Sequence, residues 1–389
     1  MTRAVSFEVE TLLARASEQT GLTGFGDPSF RDGLDRLVEE LEARAELSPL
    51  GRAAAEAMLL GQLANRLRSE DWWRRHPELA AERIERPIFV VGMSRSGTTA
   101  LSHLLVCDPA NRSLLQWEAA DSVPPPDAAR YESDPRYEAA RKSTGALEAL
   151  NPGFRAIHYD PPDMPIECLV SMAQHYVSLH YPTLYYLPGY ARWVLGHDHG
   201  PVYRWHRRLL QLLQSKKPGR WQLKSPHHAI SLPALVAAFP GARIVLTHRD
   251  PAVCVASTAS LARSLSSTFS EARHERELGA LWTDLLAAMG EGIERFVSAP
   301  YAHPVVHVPY AELTSDPVGC ARRIYREIGE ELSPAAEAAM RTHAAEHVQH
   351  RYGRHTYDPA EFGLERGALD ERFARYRQRF DVPREKERR

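Results

Sequence analysis

The fold of this chain is decided by residues 87–101, PIFVVGMSRSGTTAL. The run PIFVVGM is short, rich in β-branched and aromatic residues and reaches a glycine, which is typical of a buried parallel strand. The apolar pattern ALSHLLV follows at 100–106, so residues 92–99 form a glycine-bounded turn between a strand and a helix. Such a turn exposes backbone N–H groups at the positive end of a helix dipole, and it predicts a phosphate-binding loop.

The loop departs from a nucleoside-triphosphatase loop at one position. Its GxxxxG spacing matches a P-loop, but Thr98 stands where a Walker A motif requires lysine. Because kinases and NTPases of this type use that lysine on the β- and γ-phosphates, its absence argues against their chemistry. Arg95 lies inside the loop instead. A P-loop kinase or NTPase, and a non-catalytic nucleotide-binding protein of the same fold, remain as alternatives.

Further strands are predicted at WQLK (221–224), ARIVLTH (242–248) and PVVHVPY (304–310), each followed by a helical pattern. This alternation predicts an α/β fold of the P-loop type, with a parallel sheet flanked by helices. An aspartate followed by proline marks a helix start, because the carboxylate caps the helix and proline suits its first position. Asp250 and Asp316 are such caps, and Asp358 is expected to open the last helix.

The regions around the sheet are predicted to be helical. Residues 1–86 have apolar positions at helical spacing and no alternating strand, so we expect a helical N-terminal extension packed on a core domain of residues 87–389. Residues from about 120 to 215 are predicted to form a helical insertion on the acceptor side of the sheet. Six aromatic residues lie together within it, and they indicate core packing more often than a binding site: Tyr176, Tyr181, Tyr185, Tyr186, Tyr190 and Trp193.

Composition limits the classes of partner. The 389 residues carry 48 Lys and Arg against 50 Asp and Glu, a net charge of −2, so no global positive field favours nucleic acid. The four cysteines lack a CxxC pair, which favours a reducing compartment and neither a metal site nor a disulfide framework. No apolar run reaches membrane-spanning length, and we expect a cytoplasmic protein that acts on a small molecule and possesses no membrane span, with a homo-oligomer allowed.

Two motifs together resemble a known family. The loop RSGTT resembles the 5′-phosphosulfate loop of sulfotransferases that use 3′-phosphoadenosine 5′-phosphosulfate (PAPS), in the branch of tyrosylprotein sulfotransferases and many bacterial enzymes. ARIVLTHRDPAVCVAS resembles the family's 3′-phosphate motif, with Arg249 at the end of a strand and Ser257 eight residues later. At 1.5 Å per residue, Ser257 lies about two turns into the helix capped by Asp250 and on the same face as that cap. A guanidinium and a hydroxyl so placed can bind one phosphate from two sides.

Three other segments resemble the family more weakly. WQLKSP resembles the strand that carries a second sulfuryl-binding lysine, here Lys224, and VPYAELTSDP resembles the strand and helix in which Tyr310 would support the adenosine. HRYGRHTYDPAEFGL resembles a late loop that closes over the nucleotide, with Arg351 and Arg354 as candidate contacts. The resemblance covers residues from about 87 to 380.

The resemblance implies a sulfotransferase that moves a sulfuryl group in line from PAPS to a hydroxyl, with adenosine 3′,5′-bisphosphate (PAP) as product and no metal. The implied nucleotide-binding residues are Ser94, Arg95, Ser96, Gly97, Thr98, Thr99, Arg249, Ser257, Tyr310, Arg351 and Arg354. The implied catalytic residues are Arg95, Lys224 and a general base.

The base is the least determined of these residues. Cytosolic members carry a histidine two residues after the strand lysine, where this chain has Pro226, and His227 is one place late. The RSGTT branch uses a glutamate after the phosphate-loop helix, which predicts Glu118. Glu167 and His158 are the alternatives. Because no charged acceptor-binding cluster is visible, an apolar or aromatic alcohol is the expected acceptor.

Overall fold

The computed structural model describes residues 7–151, 161–300, 303, 305–347 and 356–385. Before the central insertion its elements are α1 (Val9–Thr20), α2 (Phe30–Arg44), α3 (Pro49–Arg75), β1 (Ile88–Gly92), α4 (Thr98–Leu105), β2 (Asn111–Arg112) and α5 (Gln116–Ala120). The next are α6 (Pro135–Leu150), α7 (Cys168–Met172), α8 (His180–Leu184), α9 (Pro188–Gly196), α10 (Gly200–Gln214), β3 (Arg220–Lys224) and α11 (Leu232–Ala238). The last are β4 (Arg243–His248), α12 (Pro251–Phe269), α13 (Glu275–Ser298), β5 (Val305–Pro309), α14 (Tyr310–Ser315), α15 (Pro317–Ile328), α16 (Pro334–Glu346), α17 (Arg366–Arg372) and α18 (Ala374–Arg379).

The five strands form one parallel sheet in the order β2-β3-β1-β4-β5. Val90 of β1 pairs with Lys224 of β3, and Gly92 pairs with Thr247 of β4. The carboxyl ends of these three strands therefore lie at one edge, where α/β proteins bind their ligands. The predicted parallel α/β fold is confirmed, and β2 is a two-residue edge strand that the sequence pattern did not indicate.

The central strand β1 is buried on both faces, as its uninterrupted apolar sequence predicts. Phe89 and Val91 belong to the larger apolar cluster, which extends into the N-terminal helices and residues 166–213. Ile88 and Val90 point to the opposite face and join a smaller cluster with α4, α15 and β5. This alternation fixes β1 between two layers and holds its carboxyl end, where the loop begins, in one position.

The aspartate caps position two of the helices as expected. The Asp250 side chain accepts a hydrogen bond from the Ala252 backbone N–H (3.1 Å) at the start of α12, and Asp316 accepts one from Gly319 (2.8 Å) at the start of α15. The expectation for Asp358 was wrong. It caps the short 3₁₀ helix Pro359–Phe362, and two α-helices follow, the last of them α18.

The aromatic residues of the insertion serve the core. Tyr176, Tyr181 and Tyr190 are fully buried, and their hydroxyls donate to backbone carbonyls of Leu59, Ala173 and Tyr176. Buried hydroxyls normally require such partners, so this part of the aromatic stretch packs α8 against α3 and α9 against the segment around Tyr176, and it is not a free acceptor surface.

Candidate functional site

The loop at residues 92–99 is held by its own hydrogen bonds and by β4. The Met93 carbonyl accepts from the Ser96 backbone N–H (3.2 Å) and hydroxyl (2.7 Å), and the Ser96 hydroxyl bonds to the Thr247 hydroxyl (2.7 Å). A Cβ on Gly92 would lie 2.2 Å from Thr247 Oγ1 and 2.6 Å from Ser96 Oγ. Glycine is therefore needed here so that β1 and β4 can approach with this serine between them.

The backbone of the loop turns through the left-handed region at two residues, Arg95 (φ +68°) and Gly97 (φ +102°). Helix α4 begins directly afterwards, and Leu101 N–H donates to the Gly97 carbonyl (3.0 Å). A left-handed turn ahead of a helix gathers backbone N–H groups into a concavity that suits an anion. Thr98 is buried, and Ser94 and Thr99 are half-buried at its rim.

The two predicted phosphate motifs meet in space. Arg95 Nε donates to Ser257 Oγ of α12 (3.1 Å), and Arg249 Nη1 donates to the Arg95 backbone carbonyl (3.0 Å). Residues that are 154 and 162 positions apart in the chain thus form one contiguous surface at the carboxyl ends of β1 and β4. Two separate motifs form a single candidate site.

Two guanidinium groups lie close together at this surface. Burial lowers the pKa of Arg95, and the positive charge of Arg249 lowers it further. Arg249 also lies over the Tyr310 ring, 4.1 Å from its centroid. Tyr310 in turn packs against the loop, because a Cβ on Gly97 would be 2.9 Å from the tyrosine ring. Two neighbouring guanidinium groups, one of them above an aromatic ring, favour a bound anion.

Lys224 provides a third cation on the other side of the loop. The residue is fully buried at the end of β3, and its Nζ donates to Thr99 Oγ1 (3.2 Å). Glu167 Oε1 lies 3.6 Å from the same nitrogen, because residue 167 forms a parallel bridge with residue 224 before α7 begins. The Lys224 ammonium therefore lies between the Thr99 hydroxyl and the Glu167 carboxylate at the carboxyl end of the sheet.

Glu118 occupies a different environment. Its carboxylate is fully buried and pairs with Arg112 (2.7 Å), and it accepts from the Leu115 backbone N–H (3.1 Å) and from the Tyr131 hydroxyl (2.9 Å). The same arginine also donates to the Lys217 carbonyl, which precedes β3. These contacts hold the first turn of α5 against the amino end of β3, whereas Lys224 is at its carboxyl end.

His227 is a core residue. It is fully buried, its Nδ1 accepts from the Leu179 backbone N–H (3.2 Å), and its Nε2 lies 3.3 Å from His199 Nδ1. Burial lowers its pKa well below the ordinary value for histidine. The alternative base His158 and the predicted nucleotide contacts Arg351 and Arg354 lie outside the described residues.

Two residues at the site were missed in the sequence. Tyr357 hydrogen-bonds to Ser257, and burial raises the pKa of its phenol. Glu385 forms a bidentate pair with Arg249, with Nε–Oε1 and Nη2–Oε2 distances of 2.7 and 3.0 Å. Tyr357 lies in the stretch already singled out for its two arginines, so its position was within reach of sequence reasoning. No sequence pattern indicates Glu385.

The described part of the chain contains neither a candidate membrane span nor a candidate metal centre. No helix there combines the length and apolarity needed to cross a membrane. Histidine, cysteine, aspartate and glutamate residues in the same ranges form no group of three or more that could hold a metal ion.

Comparisons with known proteins agree on one family. The model of the sulfotransferase family matches residues 87–334. The crystal structure of sulfotransferase STF9 from Mycobacterium avium is 30% identical, with a TM-score of 0.87, over 98% of this chain and 99% of that one. The crystal structure of STF1 from Mycobacterium tuberculosis H37Rv is 34% identical, with a TM-score of 0.84, over 96% and 100%. The omega-hydroxy-beta-dihydromenaquinone-9 sulfotransferase Stf3 of Mycobacterium bovis is 24% identical over 68% of each chain.

Proposed function

Because this chain belongs to the sulfotransferase family and is a sulfotransferase, we propose that its donor is PAPS and its acceptor the hydroxyl of a small apolar or aromatic molecule. The observation that carries the proposal is the contact of Arg95 with both Ser257 and Arg249. PAPS bears a 5′-phosphosulfate and a 3′-phosphate on one adenosine, and this contact joins an anion-binding loop to an Arg/Ser pair at the spacing of the 3′-phosphate motif.

Each part of the site has a proposed role. The N–H groups of residues 94–99 and the hydroxyls of Thr98 and Thr99 bind the 5′-phosphate, while Arg249, Ser257 and Tyr357 bind the 3′-phosphate. Arg95 lies between the two and neutralises charge on the leaving phosphate. Tyr310, which packs on both Gly97 and Arg249, supports the adenosine.

Lys224 is proposed to bind the sulfuryl oxygens. Its ammonium is already directed to Thr99 of the loop, so it needs little reorganisation to stabilise charge that develops during transfer. In this in-line step the acceptor oxygen forms a bond to sulfur as the bond from sulfur to the bridging oxygen breaks. The electron pair of the broken bond goes to the 5′-phosphate, and the acceptor proton goes to a base.

We assign the base to Glu167, one of the two alternatives to Glu118. The Glu167 carboxylate is 3.6 Å from Lys224 Nζ and keeps 19% of its side-chain surface exposed, so an acceptor hydroxyl can approach it beside the sulfuryl group. Glu118 has no exposed surface, and its oxygens already serve Arg112, Leu115 and Tyr131. Its proposed role is structural.

The acceptor class is supported by chemistry and by one relative. Stf3 is named for a hydroxylated dihydromenaquinone acceptor, which is an apolar alcohol. In this chain Tyr186 and Trp193 are only partly buried against the core, whereas Tyr185 is buried within it. An apolar acceptor is therefore proposed over a polyanionic sugar, which would require a cluster of basic side chains.

Calorimetry and a transfer assay test this function. PAP is expected to bind, since it offers a 3′-phosphate to Arg249 and Ser257, whereas Mg-ATP without that phosphate is expected to bind much more weakly. Transfer of labelled sulfate from PAPS to a panel of phenols, sterols and prenyl alcohols then defines the acceptor. Equal or tighter binding of Mg-ATP would refute the proposed donor.

A further inference from the structure

The segment 381–385 lies against the proposed 3′-phosphate site and is held there by several contacts. Val382 is buried, and its carbonyl accepts from Arg377 Nε (3.3 Å). Arg384 pairs with Asp370 (2.8 Å), and the Glu385 backbone N–H donates to Asp250 Oδ2 (2.7 Å). These contacts fix the backbone of residue 385 beside the N-cap of α12, one residue from Arg249.

The Glu385 carboxylate occupies the edge of the Arg249 guanidinium that a phosphate would need. Nη1 of Arg249 is engaged by the Arg95 carbonyl, and the guanidinium plane lies over Tyr310. The remaining bidentate edge, formed by Nε and Nη2, donates to the two oxygens of Glu385. Arginine binds carboxylate and phosphate through this same two-donor geometry, so the two anions exclude each other at one guanidinium edge.

We propose that Glu385 is an intramolecular competitor for the 3′-phosphate of the nucleotide. The carboxylate leaves Arg249 Nε and Nη2 when a 3′-phosphorylated nucleotide binds, and it returns to them when PAP departs. This inference rests on the proposed use of PAPS, because it assigns Arg249 to the 3′-phosphate. The competition acts only at the 3′ position, so a nucleotide without a 3′-phosphate can occupy the loop while the Arg249–Glu385 pair remains intact.

The size of the effect follows from the population of the open state. If the pair is closed in about nine molecules of ten, the apparent affinity for PAP is reduced about tenfold relative to the open site. The pair is short, bidentate and only 15% and 21% exposed on its two side chains, which favours a closed fraction of this order. Removing the carboxylate charge is therefore expected to tighten PAP binding by about tenfold.

The experiment compares two nucleotides and two variants of the full chain by calorimetry. Glu385→Gln is expected to bind PAP about tenfold more tightly than wild type and to bind adenosine 5′-phosphate with unchanged affinity. Glu42→Gln is the matched control, because Glu42 forms a bidentate pair with Arg52 (3.1 and 2.9 Å) in the N-terminal helices. It is expected to leave both affinities unchanged.

The outcomes separate this inference from the function on which it rests. Unchanged PAP affinity in Glu385→Gln, or equal tightening for both nucleotides, would overturn the competition while leaving the PAPS donor intact. Failure of every variant to bind PAP would overturn the donor assignment and the competition together. If Glu385→Gln is poorly folded by thermal melting, Glu385→Asp supplies the second test, since a shorter carboxylate on the same backbone should also tighten PAP selectively.

Discussion

Replacing Glu167 by glutamine should separate proton removal from nucleotide binding. The substitution keeps the size of the side chain and removes its ability to accept a proton, while Lys224 Nζ retains its hydrogen bond to Thr99 (3.2 Å). A positioned general base contributes about 10²- to 10⁴-fold to a rate, so kcat should fall by that factor, equivalent to about 3–5 kcal/mol of transition-state stabilisation. PAP affinity should hardly change, because Arg95, Arg249 and the loop are untouched.

Glu118→Gln is the control, and it should show the opposite pattern. Both partners of the Arg112–Glu118 pair are buried, at 2% and 0% side-chain exposure, so neutralising the carboxylate leaves an unpaired guanidinium. Breaking a buried pair costs about 3–5 kcal/mol of folding stability, and the lower end applies since glutamine can still accept from Leu115. The corresponding loss for Glu167→Gln should be smaller, about 1–3 kcal/mol, because this pair is longer (3.6 Å), its carboxylate is partly exposed and the buried Lys224 keeps its hydrogen bond to Thr99.

Three measurements on both variants distinguish the roles: kcat for sulfuryl transfer from saturating PAPS, the Kd of PAP, and the free energy of unfolding in urea. A large fall in kcat for Glu167→Gln with a stable fold supports the assignment. If Glu167→Gln turns over like wild type while folded Glu118→Gln is inactive, the base is Glu118 and our reading of the geometry is refuted.

Three other predictions concern binding, packing and pH. Arg249→Ala should weaken PAP by about 10- to 100-fold and adenosine 5′-phosphate much less, since one charge-assisted bidentate contact is lost; equal losses in calorimetry would contradict the 3′-phosphate role. Gly92→Ala should cost about 1–3 kcal/mol in urea unfolding because its Cβ would lie 2.2 Å from Thr247 Oγ1, and wild-type stability would disprove that constraint. Burial lowers the pKa of His206 and of His248 from 6.5 to about 3, so the unfolded chain alone takes up these protons as pH falls. Stability should thus drop from pH 6.5 towards pH 3 by about 1.4 kcal/mol per pH unit for each histidine, and a flat urea-unfolding profile between about pH 7 and pH 5 would contradict this.

The sheet was predictable because most of its strands have a residue composition that is typical of buried parallel strands. Three of the five strands, β1, β4 and β5, are rich in β-branched residues, and each of the four predicted strands is followed by a helical pattern in the sequence. Strand β2 consists of Asn111 and Arg112, whose pairing with Arg220 and Trp221 depends on how the chain returns to the sheet edge. A two-residue polar segment has no sequence pattern that predicts such pairing.

The candidate site, like the sheet, was predictable only in part. Arg95, Arg249 and Ser257 were predictable because strand ends and a helical spacing place them, and the hydrogen bonds between them follow from the sheet order. The choice between Glu118 and Glu167 was not predictable. Both follow the phosphate loop in the sequence, and they differ in which buried cation they meet, Arg112 or Lys224.

In the described part of the site, charge balance predicts different roles for the carboxylates of Glu167 and Glu385. Arg95, Arg249 and Lys224 bring three positive charges to the ends of β1, β3 and β4, and Glu167 and Glu385 bring two negative ones. A bisphosphate adds more negative charge than the remaining net charge of these side chains offsets, so withdrawal of one carboxylate favours its binding. In the proposed mechanism Glu167, 3.6 Å from Lys224, accepts the acceptor proton, whereas Glu385 occupies only the arginine edge proposed for the 3′-phosphate. We therefore expect the Arg249–Glu385 pair to open when the nucleotide binds and the Lys224–Glu167 pair to persist into the reaction.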